Sequence, residues 1–432
     1  MSILFEHASI LITNEKDFSV IKDGYLGVDG SVIDYIGTEK PAKGYDEVRD
    51  FSDKLLMPGL INCHNHAAMT LTRGLGNDLP LQEWLFDNMM PLEDKFTGRE
   101  VRAGAELALL EMIASGTTSF SDMYFFADET IDACLKAGIK ANIARPIQTF
   151  DPNEKYEDSI RRKEAFEMYE KYHNAGDGRI RVDFSIHAEY TCTEDFSRKH
   201  SEACKERGLN MHIHLSETKK EHDECVQKYG KTPAKWFYDL GTFENPTFCA
   251  HSVWVTDDDI AILAKAGASV VLNPSSNMKL GSGFAPVRKF LDAGVNVCLG
   301  TDGAGSNNNL NMFEELHLAS IIYKGFTHDA ANVTTNDTLR MATINGAKLQ
   351  GRPDTGCLKV GKKADIIAIN LDAPHLIPNP DIPGSLCYTA QGSDVCMNMV
   401  DGRILYENGE YLTIDRDRVI ANVKRVYADL TK

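Results

Sequence analysis

The sequence predicts an α/β fold in which a (β/α)8 TIM barrel is joined to a small β-sandwich built from both chain ends. Two observations lead to this prediction. The middle of the 432-residue chain alternates short apolar runs with helical patterns, and both ends are rich in strand and turn signals. Such alternation is typical of a parallel sheet flanked by helices. A large barrel with a smaller appendage also fits the length better than one ordinary small domain.

Both ends of the chain contain strand-like apolar runs separated by turn residues. The clearest runs are residues 9–13, 24–28, 364–369 and 399–406. Neither end alone supplies enough strands for a stable sheet. We therefore expect residues 1–56 and 353–432 to form the two parts of one composite β-sandwich, beside a barrel formed by residues 57–352.

Eight apolar runs within residues 57–352 predict the strands of the barrel. They end near His64, Ser121, Arg145, His187, His214, His251, Asn273 and Asp302. Helix signals lie between them. Thr97 and Glu100 form a capping box, for example, and the helical apolar pattern that follows is closed by Gly116. Repeated strand and helix signals of this kind predict a TIM barrel.

The composition and charge limit the classes of function. A formal net charge of −17 argues against partners such as nucleic acid or an anionic membrane, because both require a positive field. No apolar run is long enough to span a bilayer and no signal-like segment opens the chain, so we expect a cytoplasmic protein. The ten cysteines include no C-x-x-C pair, which favours reduced thiols over a disulfide framework.

Residue types that bind metals follow several predicted strands at the end where a TIM barrel carries its active site. His64 and His66 alternate on one strand, so both project to the same side, while His214, His251 and Asp302 end three further strands. Imidazoles with one carboxylate suit Zn²⁺ or Fe²⁺ and leave room for a water molecule. One such histidine alone would more often be a hydrogen-bonded core residue. Five groups on one rim predict a metal site.

Two further histidines resemble metal ligands in their local pattern. His212 precedes His214 by two residues, and we favour His214 as the ligand because Glu217 follows it at the rim. His187 and Glu189 match part of the zinc cytidine deaminase motif, but no P-C-x-x-C segment follows, which excludes that fold.

The segment from Met57 to His66 resembles the first-strand motif of the amidohydrolase superfamily. The similarity continues through residues 214–217, 273–280 and 299–303, and through Arg73-Gly74, Trp84-Leu85 and Pro91-Leu92-Glu93. Together these segments resemble the methylthioadenosine/S-adenosylhomocysteine deaminase family over essentially the whole chain. Guanine deaminases and triazine hydrolases share much of this frame.

The resemblance implies a set of site residues. The implied metal ligands are His64, His66, His214 and Asp302, and the implied substrate contacts are Glu93, Arg145, His187, Glu217 and Asp302. One divalent transition metal per chain is expected, zinc or alternatively iron(II), because the fourth strand offers no lysine to bridge a second ion. Glu93 would bind the ribose hydroxyls, a task suited to an acceptor-only carboxylate. Either Arg161 or Arg162 could bind a substrate carboxylate, and the sequence does not distinguish them.

The implied reaction is hydrolysis of the 6-amino group of an adenine nucleoside, a cyclic amidine, to give ammonia and an inosine-type product. The nucleoside could be 5′-methylthioadenosine, S-adenosylhomocysteine, adenosine or 5′-deoxyadenosine. Glu217, with a pKa raised by burial, would protonate the purine ring, while His251 would hold the attacking hydroxide and Asp302 would take the proton of the water.

Two alternatives stay open at this point. One is a hydrolase of the same fold that acts on guanine, a pterin or a triazine. The other is a catalytically inactive scaffold barrel, in which loss of ligand residues would be expected. A homo-oligomer is also expected, although no sequence feature specifies its size.

Overall fold

The strands form three consecutive groups along the chain in the computed structural model, which describes residues 2–149, 151 and 153–432. The first group is β1 (Ser2–Thr13), β2 (Phe18–Asp29), β3 (Val32–Gly37), β4 (Glu47–Asp50) and β5 (Lys54–Pro58). The second group is β6 (Leu60–Asn65), β7 (Thr117–Met123), β8 (Lys140–Ile147), β9 (Ile180–Ile186), β10 (Met211–Leu215), β11 (Thr247–His251), β12 (Ser269–Leu272) and β13 (Asn296–Leu299). The third group is β14 (Ile366–Asn370), β15 (Val395–Val400), β16 (Arg403–Glu407) and β17 (Glu410–Tyr411).

The first and third groups share a nine-stranded mixed sheet. Its path runs β17-β16-β15-β14-β5-β1-β2-β3, and β4 pairs with β1 beside this path. The two chain ends meet where β5 pairs antiparallel with β14, with Leu55 opposite Ile369 and Pro58 opposite Ile366. This pairing confirms that the chain ends form one composite β unit. The domain boundaries at residues 56 and 352 stay a prediction.

The second group forms a sheet of eight strands that are parallel and follow one another in chain order from β6 to β13. The last strand returns to the first, because the backbone N–H of Asp302, just beyond β13, donates to the carbonyl of His64 at 3.0 Å. Nearly all residues of these strands are buried, as expected when side chains fill the interior and helices cover the outside. The predicted TIM barrel is therefore confirmed.

The described residues contain sixteen α-helices, of which the first eleven lie between barrel strands in the chain and the last five follow β13. They are α1 (Leu81–Glu83), α2 (Met90–Glu93), α3 (Gly98–Ala114), α4 (Ala127–Ala137), α5 (Ile160–Tyr172), α6 (Glu194–Arg207), α7 (Lys219–Tyr229), α8 (Pro233–Asp239), α9 (Asp257–Ala266), α10 (Pro274–Lys279), α11 (Val287–Asp292), α12 (Met312–Thr327), α13 (Thr335–Met341), α14 (Ile344–Leu349), α15 (Ile382–Tyr388) and α16 (Arg416–Leu430). The predicted capping box is present at the start of α3, where Glu100 Oε2 accepts from Thr97 N at 2.9 Å. Among the described residues, no helix has both the length and the apolarity needed to cross a membrane.

The connection from β6 to α3 is longer than a simple βα loop and forms one wall above the barrel. It contains a 3₁₀ segment at Ala67–Thr72, then α1, a π-helix at Trp84–Met89, and α2. Met69, Leu81 and Trp84 of this connection are buried together in one apolar cluster. Since α2 ends at Glu93, the cluster fixes that carboxylate above the barrel.

A buried ion cluster joins the barrel to the composite sheet at the opposite end of the strands. Lys140, the first residue of β8, donates to Asp365 at 2.6 Å and to Asp401 at 2.8 Å. Because the lysine and Asp365 are both buried, their charges are paired where water cannot solvate them.

Candidate active site

A cavity of about 610 Å³ opens at the carboxyl ends of the barrel strands. The predicted metal ligands, catalytic groups and substrate contacts that line it are His66, Glu93, Arg145, His187, His214, Glu217, His251 and Asp302. His64 lies beneath them and is fully buried. The sequence-predicted residues therefore all gather at one place.

Two of these residues have left-handed backbone conformations, which side chains other than glycine rarely adopt. His251 has a φ of 70° and Asp302 a φ of 62°. Such strain is found mainly where the surrounding structure holds a functional group in place. Here it turns the two side chains toward the cavity at the ends of β11 and β13.

Four donor atoms converge at the floor of the cavity. Asp302 Oδ1 lies 3.3 Å from the Nε2 atom of His64 and 3.3 Å from that of His66. His214 Nε2 lies 3.4 Å from His66 Nε2. The four side chains come from the ends of β6, β10 and β13.

The second ring nitrogen of two of these histidines fixes their tautomer. His66 Nδ1 donates to the carbonyl of Met123 at 2.6 Å, and His214 Nδ1 donates to the carbonyl of His187 at 2.8 Å. Because a carbonyl can only accept, both imidazoles carry a proton on Nδ1 and turn Nε2 toward the other donors. Such outer contacts are the usual support of metal-binding histidines.

His64 has a histidine as its outer partner. Its Nδ1 lies 2.8 Å from Nε2 of His212, the residue that was less favoured than His214 as a ligand on sequence grounds. The i and i+2 spacing explains both placements, since His212 and His214 point to the barrel interior at two different depths. His212 therefore contacts a predicted ligand rather than joining the ligand set.

These donors fit a divalent transition-metal ion. Burial lowers the pKa of His64 to about 3 and that of His214 well below its ordinary value, so both rings are neutral. His64 Nε2 is buried and has no hydrogen-bond partner among the described residues. Lone pairs and a carboxylate oxygen packed together without a proton between them repel one another, whereas a cation would satisfy all of them.

Two serines hold the other oxygen of Asp302. Ser276 Oγ and Ser306 Oγ each donate to Asp302 Oδ2 at 2.7 Å, which leaves Oδ1 directed at the histidines. Neither serine was predicted to have a role from the sequence. Ser276 lies within the segment 273–280, which contributes to the family resemblance, and its position just after the buried strand β12 is the signal that could have identified it.

Glu217 and His251 face each other above the donor cluster. Glu217 is only 6% exposed, and its Oε2 lies 3.7 Å from His251 Nε2. Burial, together with the nearby charges of Asp302 and Glu221, raises the pKa of Glu217 well above its ordinary value. On the far side of His251, Nδ1 donates to Asn277 Oδ1 at 2.8 Å. A carboxyl that keeps its proton thus lies beside an imidazole that donates from Nδ1 and turns Nε2 toward it.

Glu93 enters the cavity from the wall formed by the β6–α3 connection. The hydroxyl of Tyr124, the residue after β7, donates to Glu93 Oε1. Burial raises the pKa of Glu93 to about 7, although the contact with Tyr124 acts in the opposite direction.

Cationic side chains line another part of the cavity. Arg145 Nε is paired with Glu164 Oε2 at 2.7 Å, and Arg161 also lines the cavity. The guanidinium of Arg162 instead packs over the ring of Phe166, with 4.4 Å between the guanidinium carbon and the ring centroid. Arg161 rather than Arg162 is therefore the arginine within reach of a bound molecule.

Comparisons with known proteins identify a family, relatives and a solved structure that match nearly the whole chain. A sequence model of the Amidohydrolase family matches residues 55–405. A 5-methylthioadenosine/S-adenosylhomocysteine deaminase of Thermoanaerobacter pseudethanolicus is 43% identical over 426 residues, which cover 98% of each chain. A 5′-deoxyadenosine deaminase of Methanosarcina mazei is 41% identical over 428 residues, covering 99% of this chain and 98% of the relative. Among solved structures, an adenosine deaminase of Xanthomonas campestris with bound zinc has a TM-score of 0.93 and 30% identity, covering 99% of this chain and 98% of that one.

Proposed function

The chain belongs to the amidohydrolase family, and we propose that it is a metal-dependent hydrolase that removes the 6-amino group of adenine nucleosides. The observation that carries this proposal is the pairing of two features in one cavity. Neutral imidazoles and a carboxylate converge on a cation site, and a buried carboxyl that keeps its proton lies beside them. Relatives named as deaminases of adenine nucleosides match over nearly the full chain.

We infer that His64, His66, His214 and Asp302 hold the ion. When bound, a divalent metal supplies the Lewis acidity that makes water a nucleophile near neutral pH. Zinc is the ion we propose, since neutral imidazoles and one carboxylate suit it and a structural relative was solved with zinc. One ion per chain is proposed, because β9 and the residue after it, Phe184-Ser185-Ile186-His187, offer no lysine to bridge a second ion.

Side chains of the protein donate and accept the protons of the proposed reaction. Glu217 donates its proton to the purine ring nitrogen next to C6, which makes that carbon more electrophilic. Water forms a C6–O bond while Asp302 accepts one of its protons and His251 Nε2 holds it by a hydrogen bond. The C6–N bond breaks as the amine takes this proton and leaves as ammonia. The second proton of the water returns to Glu217, so the side chains end the cycle as they began.

Recognition of the nucleoside is assigned to the upper part of the cavity. Glu93 is proposed to accept hydrogen bonds from the ribose hydroxyls, and His187 and Arg145 to contact the nucleoside beside the metal site. Because Arg161 adds a second guanidinium next to Arg145, a substituent that ends in a carboxylate would be stabilised there. This feature favours S-adenosylhomocysteine as one substrate alongside 5′-methylthioadenosine and 5′-deoxyadenosine.

A hydrolase of guanine, a pterin or a triazine on the same fold is the second candidate. The half-buried carboxylate of Glu93 argues against it, because those flat ring substrates offer no vicinal hydroxyls for an acceptor-only group. The homo-oligomeric state and the cytoplasmic location stay predictions.

The test is a substrate panel measured side by side on the purified protein. Ammonia release is followed for 5′-methylthioadenosine, S-adenosylhomocysteine, 5′-deoxyadenosine, adenosine, guanine and a chlorotriazine, with chloride release measured for the last. We expect the highest kcat/KM among the adenine nucleosides. A kcat/KM for guanine or the triazine above that of every nucleoside would overturn the proposal.

A further inference from the structure

The wall of the cavity contains a contact that the proposed mechanism does not use. Tyr124 follows β7 and is 5% exposed, and its hydroxyl donates to Oε1 of Glu93. The tyrosine ring is stacked on Phe125, with ring centroids 4.2 Å apart and an interplanar angle of 22°. The donor is therefore held by packing, while the acceptor is the carboxylate proposed for the ribose.

We propose that Tyr124 is a positioning and specificity-determining residue, whose hydroxyl holds Glu93 so that the remaining acceptor sites of its carboxylate face the ribose diol. This inference rests on the proposed deamination of adenine nucleosides and adds a residue that selects them. A carboxylate has about four acceptor sites, and the tyrosine occupies one of them. The occupied site fixes the rotation of the carboxylate, so that the free sites match a pair of adjacent hydroxyls.

The same contact favours the ionised form of Glu93. Partial burial of its carboxyl and the negative charge of the neighbouring Asp94 both favour the protonated acid. A protonated carboxyl loses acceptor capacity and presents a hydrogen to one of the incoming hydroxyls. Tyr124 opposes this, because hydrogen bonding to the charged form stabilises that form. Loss of the hydroxyl should therefore raise the pKa of Glu93 from about 7.

The test compares Tyr124→Phe with the parent enzyme on 5′-methylthioadenosine and on its 2′,3′-dideoxy analogue. The substitution keeps the ring stacked on Phe125 and removes only the donor. We expect kcat/KM for the ribonucleoside to fall about 10- to 150-fold, the worth of a hydrogen bond to a charged group, and that for the dideoxy analogue to change less than about two-fold. In the Glu93→Gln background, the same substitution should have little further effect.

The pH dependence of kcat/KM distinguishes a positioning role of Tyr124 from a general loosening of the fold. The acidic limb of kcat/KM for the ribonucleoside should move to higher pH in Tyr124→Phe, because the ionised Glu93 is present only above its raised pKa. Tyr156→Phe is the matched control. Tyr156 is also 5% exposed, and its hydroxyl bonds to His200 Nδ1 at 3.0 Å away from the cavity lining. Tyr156→Phe should leave both the preference for the ribonucleoside and the acidic limb of kcat/KM unchanged.

Two results would overturn the inference. One is an equal loss on the ribonucleoside and the dideoxy analogue, with an unmoved acidic limb, which would make Tyr124 a packing residue only. The other is full additivity of Tyr124→Phe and Glu93→Gln, which would mean that the tyrosine does not act through the carboxylate. If the parent enzyme deaminates neither compound, the proposed function fails first, and the inference built on it fails with it.

Discussion

Replacing Glu217 with glutamine tests the proton donor of the proposed mechanism. The amide keeps the shape of the carboxyl and can still donate a hydrogen bond, but it cannot transfer a proton to the purine ring. Glu217 is not among the four side chains proposed to hold the metal, and its Oε2 lies 3.7 Å from Nε2 of His251. Metal content, fold and substrate binding should therefore change little.

The size of the effect follows from the surroundings of the carboxyl. Glu217 is buried, so its pKa is raised well above the ordinary range and the acid form is present at neutral pH. A positioned general acid accelerates a reaction about 10²–10⁴-fold, which corresponds to roughly 3–5 kcal/mol of the activation barrier. We expect kcat of Glu217→Gln to fall by this factor.

The pH dependence of kcat provides a second test of Glu217 as the proton donor. Because the protonated carboxyl is the active form and its pKa is raised, activity is present below that pKa and is lost as the pH rises through it. The parent enzyme should show this alkaline limb in kcat, and Glu217→Gln should lack it.

The assay follows ammonia release under saturating 5′-methylthioadenosine, with metal content by elemental analysis and the fold by circular dichroism. Glu224→Gln, which makes the same carboxyl-to-amide change at an exposed position of α7 outside the cavity lining, is the control. If Glu217→Gln retains its metal and turns over within a few-fold of the parent, Glu217 is not the proton donor.

Three further predictions concern the metal and the substrate. The purified protein should contain close to one divalent ion per chain by elemental analysis and lose activity on chelation, whereas two ions per chain at full activity would contradict the mononuclear site. Glu93→Ala should reduce kcat/KM for nucleosides about 5- to 100-fold more than for any free base accepted, since an unmet hydrogen bond in the site costs about 1–3 kcal/mol. Equal losses on both would remove Glu93 from the ribose role. Arg161→Gln should lower kcat/KM for S-adenosylhomocysteine about 5- to 50-fold while sparing 5′-methylthioadenosine, because only the former has a carboxylate for the guanidinium. A parallel loss on both substrates would show that Arg161 does not contact the carboxylate.

Much of the site was predictable because barrel topology converts sequence position into spatial position. A polar residue at the end of each apolar run must lie on the same rim once the strands are parallel and in chain order. His64, His214 and Asp302 are far apart in the chain and still meet for this reason. The composite sheet was predicted from strand signals at both chain ends, although the ends supply five and four strands, more than those signals indicated.

The remaining features depend on contacts that no local pattern encodes. His212 and His214 have the same spacing as the ligand pair His64 and His66, so only depth in the barrel distinguishes an outer partner from a ligand. The contact between Tyr124 and Glu93 joins two different βα connections. Likewise, Lys140 and Asp365 are 225 residues apart in the sequence, and their pairing depends on how the composite sheet packs against the barrel.

The central claim is hydrolytic removal of the 6-amino group, and isotope tracing tests it most directly. The enzyme is incubated with 5′-methylthioadenosine in ¹⁸O-enriched water, and the products are identified by mass spectrometry together with an ammonia measurement. We predict one ¹⁸O atom at C6 of an intact inosine-type nucleoside for each ammonia released. Free adenine with ¹⁸O on the sugar, or a nucleoside that keeps its amino group, would contradict the account.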